Sequence, residues 1–241
     1  MKKIVKVSLI LLVILMSTMA IHAIAMPQLS RCLVIDAYEF KQVGNLYYRP
    51  DVSEEKITAL TTLLEQAKER NLEFWGNTTA SPKFIYCDTD DDYRKFGSPM
   101  MTPAGTHPHF QSYVIISREG LNLDILAHEI CHAELSARVG FVTRALKLPV
   151  WFDEGVAMQI DHRNYYSLDS LAVKSNQFTE LPDIENMGPA QFWGGNHSDI
   201  RMNYLTAKYK IQQWDPEQNL SLFIKKINEG ASFEEAYSFN K

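Results

Sequence analysis

Cysteine is scarce in this chain: Cys32, Cys87 and Cys131 are the only three among 241 residues. So few thiols exclude a fold held together by a disulfide framework. Cys32 and Cys87 either pair in an oxidising compartment or stand as separate thiols, since spacing alone does not fix the geometry that a bond requires. Basic charge is in deficit as well. Lys and Arg number 24 against 29 Asp and Glu, a formal charge of -5, which excludes the broad basic face of a general nucleic-acid binder. The chain has no internal repeat and no low-complexity tract, and beyond residue 25 it has no long apolar run. With 46% hydrophobic and 22% charged residues, it has the composition of a folded chain able to bury a core.

The one long apolar run lies at the start. Lys2, Lys3 and Lys6 precede VSLILLVILMSTMAIHAIA, and Ala23-Ile24-Ala25 offers a small-x-small cleavage site before Met26. We read residues 1–25 as a secretory signal peptide. An uncleaved N-terminal anchor, giving membrane attachment through residues 7–25, is the alternative, because the run is near the length that crosses a bilayer. Either reading puts the folded part outside the cytoplasm: periplasmic, secreted or held at the outer face of the cytoplasmic membrane. Cleavage after Ala25 removes three lysines, leaving 21 basic against 29 acidic residues and a net charge of -8, which disfavours anionic partners in general.

Residues 26–241 are expected to form a single α+β domain, with a mixed part over about 33–120 and a helical part over about 121–241. In the mixed part, LVIDAYEF (33–40), PKFIYC (82–87) and SYVIIS (112–117) are strand candidates. Between the first two, Asp51 and Glu54 have the spacing of a capping box, and Ile57, Leu60, Leu64 and Ala67 recur at helical spacing. The acidic residues Asp88, Asp90, Asp91 and Asp92 lack the alternation and closing glutamate of a calcium loop, so they read as a solvated turn or helix start. SPMMTPAGTHPHF (98–110), with three prolines, reads as a loop, and His107 and His109 within it either line a cleft or lie on the surface. Helices are expected over NLDILAHEICHAELSARVG, ended by Gly140; over LPVWFDEGVAMQIDH, opened at Pro149; and over HSDIRMNYLTAKYK, QNLSLFIKKINEG and SFEEAYSF, the last with Ser232 and Glu235 at capping-box spacing.

HEICH (128–132) carries the chemistry. Two histidines four apart lie one helical turn apart and present their imidazoles from one face. Neutral imidazoles suit zinc, which in a catalytic site keeps one position for water. Glu129 lies beside that face, where a carboxylate can take a proton from the attacking water. Two histidines leave the ion one protein ligand short, and WFDEGVA (151–157) supplies Glu154. Trp151 and Phe152 can pack this segment against the first helix, and Gly155 permits close approach. Asp153 is the rival ligand, expected instead to make a local bond or to support a ligand.

Together, HEICH and WFDEGVA resemble the glutamate-zincin (gluzincin) metallopeptidases, in particular bacterial proteins with a minimal peptidase-MA-like domain. The likeness runs from about Tyr113 to the end, where RMNYLTAKY and SFEEAY also fit. It implies a zincin-like fold, one zinc ion on His128, His132 and Glu154, Glu129 as general base, and a peptide or protein substrate, with an endopeptidase preferred over an aminopeptidase. It also implies that SYVIIS is either the edge strand that receives an extended peptide or a central core strand. Related peptidases take the donor for the negative oxygen of the intermediate from a later helix. Tyr204 is the first candidate here and His197 the next, with Arg201, Tyr165 and Tyr166 as further candidates. In many relatives that helix starts on an aromatic and small-residue pattern, where this chain has NHSDIR. Asp161 and Asp124 either support a ligating histidine or serve as solvated or capping groups. The competing account is a non-catalytic zincin-fold module that keeps zinc for stability and binds an envelope or extracellular peptide or protein.

Overall fold

The structure, a computed structural model, describes residues 2–238, with side chains from residue 8 onward except Ile10. The basic run Lys2, Lys3 and Lys6 therefore lies outside the described side chains. In chain order the elements are α1 (Lys2–Ala25), α2 (Pro27–Leu33), β1 (Lys41–Val43), β2 (Leu46–Tyr48), α3 (Glu54–Trp75), β3 (Lys83–Cys87), α4 (Asp90–Phe96), β4 (Ala104–His107), β5 (Tyr113–Ser117), α5 (Leu123–Val139), α6 (Phe141–Lys147), α7 (Val150–Ala157), α8 (Leu168–Lys174), α9 (Pro189–Phe192), α10 (His197–Trp214), α11 (Pro216–Asn228) and α12 (Phe233–Tyr237). The fold is thus α+β and mainly helical. α1 extends with its described apolar side chains largely exposed. Among the described residues, no helix is long and apolar enough to cross a membrane.

The five strands form one mixed sheet in the order β1-β2-β3-β5-β4, with β2, β3 and β5 parallel and the two edge strands antiparallel. Alternation along the strands sorts the side chains to two faces. Phe84, Tyr86, Val114 and Ile116 face α3 and α5. Ile85, Cys87, Tyr113 and Ile115 face Leu29 and Cys32 of α2 and Tyr93 and Phe96 of α4. Helices on both sides explain why β5 is buried along its whole length. SYVIIS is consequently an interior strand. The edge belongs to β4, inside the stretch read as a loop, and β4 pairs with β5 from Ala104 opposite Ile116 to His107 opposite Tyr113.

Two local expectations change. LVIDAYEF forms no strand: α2 runs to Leu33, and Ile35–Ala37 is a single 3-10 turn. Ile35 is buried while Leu33 and Val34 are exposed, so this short apolar run secures a turn under the sheet. α3 is capped by Ser53, whose hydroxyl accepts from the Lys56 amide, and Asp51 stays outside. Its buried face is the expected one, Ile57, Leu60, Leu64 and Ala67. The acidic run opens α4 behind the Thr89 cap, and each carboxylate has its own cation: Asp88 takes Lys56, Asp90 takes Arg118, Asp91 takes Arg94 and Asp92 takes Arg49. All three cysteines are free, buried thiols, and burial pushes the Cys32 thiol up to about 12.

The helical half is organised around α7. Trp151 and Phe152 share the core with α5 residues such as Leu135 and Val139 and enter an aromatic cluster, with Phe152 4.5 Å from Phe223 and Trp151 5.4 Å from Tyr237, ring centre to ring centre. On its next face α7 lies directly against α10. A Cβ at Gly155 would stand 2.6 Å from Ile211 Cγ1 and 2.7 Å from the Ala207 carbonyl oxygen. Because that oxygen is backbone, it cannot rotate out of the way. Gly155→Ala is therefore expected to cost about 1–3 kcal/mol, the usual range for overpacking a core, as a lowered urea midpoint with unchanged slope. An unaltered midpoint would show that the two backbones are not in close contact.

Candidate metal centre

α5 starts where the Asn122 side chain accepts from the amides of Asp124 and Ile125, and it ends at Gly140, whose φ is +81°. It is seated against α3, where the buried Asn71 amide donates to the Ala127 carbonyl (2.9 Å). This register turns His128 and His132 away from α3. α7 crosses in front of them with its aromatic residues facing backward, so Asp153 and Glu154 face forward. The side chains meet in a tight triangle: His128 Nε2 to His132 Nε2 3.1 Å, His128 Nε2 to Glu154 Oε2 3.2 Å and His132 Nε2 to Glu154 Oε2 3.4 Å. All three residues are only 5–6% exposed.

The atoms behind the triangle decide what it can hold. His132 Nδ1 lies 2.8 Å from Asp153 Oδ1, so Nδ1–H donates there and the Nε2 lone pair points into the triangle. Arg144 of α6 grips the other Asp153 oxygen at 2.6 Å, completing a relay from arginine to carboxylate to imidazole. His128 Nδ1 has no hydrogen-bond partner. Its nearest carboxylate is that of Asp161, 3.8 Å away and fully buried, which the Arg163 guanidinium clamps. Three electron-pair donors aimed at one buried point repel unless a proton or a cation lies between them. A tetrahedral ion with bonds of about 2.0 Å spaces its ligands about 3.3 Å apart, which matches the observed sides. Among the described residues, His128, His132 and Glu154 form the only such group able to hold a metal ion.

The charges are strongly coupled. For His132, burial favours the neutral ring, but Asp153 and Glu154 outweigh it and push the pKa up to about 10. For Glu154, burial opposes ionisation and the two histidines overcome it, holding the carboxyl well below its usual range. Asp153 is also lowered, by Arg144 and His132 against its burial.

Glu129, half-buried and adjacent in sequence to His128, is tied to the sheet. Thr106 of β4 places its hydroxyl 2.7 Å from Glu129 Oε2 and 3.0 Å from the Glu129 carbonyl. Sequence reasoning missed Thr106, whose role follows from strand register. It faces α5 beside Val114, while His107 next to it faces the opposite side, where its Nε2 bonds the Phe96 carbonyl at 2.8 Å. His109 stacks on Phe141 at 5.3 Å. Neither histidine joins the triangle.

Of the later candidates, Tyr204 reaches the site. Its ring centre lies 6.3 Å from that of His128, and its hydroxyl accepts from the Trp193 indole at 3.2 Å. Burial and then the nearby Glu154 hold its pKa well above the ordinary value, so the hydroxyl keeps its proton. His197 is not brought to the triangle. It stands exposed on the first turn of α10, two turns before Tyr204. Asp124 does not support His128; it pairs with Arg70 at 2.5 Å and accepts from the His162 amide. Cys131 packs in the core behind the histidines. No protein-family model matches this chain, and no curated protein matches its sequence.

Metal-free protein should show these charges in its stability. His132 has a folded pKa above its ordinary 6.5, so its contribution is complete below pH 6.5 and disappears as pH rises toward 10. Glu154 is depressed from 4.5, so its contribution is present above pH 4.5 and disappears as pH falls. In excess chelator, the thermal midpoint is expected to peak between about pH 4.5 and 6.5 and to decline toward pH 10. A stoichiometric divalent transition metal, taking the place of the proton, should raise the midpoint and flatten that decline. A chelated protein with a flat midpoint from pH 6.5 to 10 would contradict the coupling.

Proposed function

We propose that the chain is a zinc-dependent peptidase of gluzincin type that cleaves extended peptides outside the cytoplasm. The metal assignment is supported by the donor set. Two neutral imidazoles and a carboxylate at tetrahedral spacing suit zinc. The same ligands also serve ferrous oxygenases, and a fourth residue favours hydrolysis over that chemistry. Glu129 is adjacent in sequence to one ligand, is not itself part of the triangle, and is held by Thr106 in a fixed orientation. A purely structural metal site has no need of such a carboxylate. This one observation carries the proposal.

A bound zinc ion supplies Lewis acidity, acidifying water and polarising a carbonyl. The residues around it supply the remainder. Glu129 accepts a proton from the attacking water and returns it to the leaving amine. Tyr204 has its oxygen occupied by the Trp193 indole and its own proton free to donate, so it suits the negative oxygen of the tetrahedral intermediate. Among the described residues, β4 pairs on one side only, with β5. Its open side offers main-chain groups to an extended peptide, and its Thr106 already touches Glu129, so a peptide added there runs past the general base. An endopeptidase is preferred to an aminopeptidase, which would need carboxylates placed to hold a substrate amine. The placement of α5 against a mixed sheet with an antiparallel edge strand, with α7 packed on α5, is consistent with a zincin-like architecture.

Purified protein incubated with a mixed peptide library and read by mass spectrometry tests this. Glu129→Gln is expected to lower cleavage by about 10²–10⁴-fold and Tyr204→Phe by about 10²-fold, both with one equivalent of zinc retained by elemental analysis. Cleavage unchanged in Glu129→Gln removes that residue as base. Zinc retained without cleavage by the wild type would favour the binding-module account.

A further inference from the structure

A wall of aromatic rings leads outward from the metal centre. Tyr204 is 5.9 Å from Tyr166, and Tyr166 is 4.6 Å from Tyr165, ring centre to ring centre. Tyr165 is 43% exposed, so the wall emerges into solvent. Two guanidinium groups flank its outer end: Arg163 lies 5.3 Å and Arg201 5.1 Å from the Tyr165 ring centre. They differ in what balances them. Arg163 is bonded to the buried Asp161 and donates to the Tyr165 hydroxyl, so its charge is offset inside the protein. Arg201 lies over the face of Tyr165 and near Tyr166, and no ion pair or hydrogen bond holds it among the described residues. The nearest acidic residue in sequence, Asp199, is turned back to close the capping box on the Asn196 amide.

Arg201 and Tyr204 are three residues apart on α10 and hence share a face. An uncompensated arginine thus stands one turn from the proposed oxyanion donor, in a protein whose overall charge is -5. Such an acidic chain repels anions in general, so an uncompensated cation one turn from Tyr204 selects where an anion can settle. Stacking on Tyr165 leaves the guanidinium edge, with its fork of donors, free for a carboxylate.

We propose that Arg201, braced on Tyr165, forms a carboxylate-recognising subsite of the cleft, which selects peptides bearing an Asp or Glu side chain or a free C-terminus near the cleaved bond. This rests on the peptidase reading, yet the two are separable because binding can be measured without cleavage. The probes are fluorescent alanine-rich hexapeptides carrying a single Glu, Gln or Lys, each with a free or amidated C-terminus. They are titrated by anisotropy against zinc-loaded Glu129→Gln, alone and combined with changes at Arg201. Affinity for Glu over Gln is expected to be about tenfold, the effect of one charge-assisted bidentate contact. That ratio should fall to one in Arg201→Gln and invert in favour of Lys in Arg201→Glu, with zinc content unchanged. If the free-carboxyl and amidated Gln peptides differ instead, the recognised group is the C-terminus. Because the readout is a ratio within one preparation, a partial folding defect does not imitate it. A wild-type ratio of one for both carboxylate sources, or a ratio unmoved by Arg201→Glu, overturns the proposal. Selective binding without cleavage by the parent protein would remove the peptidase reading and leave the subsite standing, whereas cleavage without selectivity would do the reverse.

Discussion

Three electron pairs aimed at one buried point are the constraint on which the rest of this structure depends. His128, His132 and Glu154 bring their donor atoms within 3.1–3.4 Å of one another, and all three residues are buried. Without a positive species among them the arrangement is repulsive, and the surrounding residues are placed to make it more so. Asp153 withdraws the far proton of His132 from the triangle, and Arg144 fixes Asp153. Asp161 stands behind His128 at a distance that leaves its Nδ1 unpaired. Both imidazoles thus have carboxylates at their backs, and for His132 the bonded one raises the basicity of the ring.

Holding the triangle closed is a packing problem, and α7 carries most of it. The octapeptide VWFDEGVA has three functions by helical position. Its aromatic residues anchor it in the C-terminal core, its two acids face the histidines, and its glycine lets α10 approach within backbone contact. The placement of Glu154 is therefore over-determined, with little freedom left to relax. α5 is fixed in the same way from the other side by α3, down to the bond from Asn71 to a carbonyl one residue before His128.

How much of this was legible in the sequence depends on whether local spacing or long-range register carries the information. The histidine pair was legible because a four-residue interval has only one meaning on a helix, and Glu154 because its aromatic and glycine neighbours announced a packed segment. Asp153 as a supporting group and the Ser232–Glu235 box followed from the same local logic. Thr106 was not legible, because its contact depends on β4 pairing with β5 in one register, and that strand hides among three prolines. The interior place of SYVIIS was hidden for the same reason: an apolar strand looks alike at an edge and at the centre until its neighbours are known. LVIDAYEF shows the limit of short apolar runs, which lack the length to distinguish strand from turn. The hairpin at Gly44-Asn45 between β1 and β2 went unread beside it.

The aromatic anchor of α7 also has a consequence in time. Its partners Phe223, Phe233 and Tyr237 come from the last twenty residues of the chain, whereas both histidines are made a hundred residues earlier. A nascent chain that has exposed the histidine helix but not its own end has nothing to hold Glu154 in position. Competent coordination therefore depends on residues made well after both histidines.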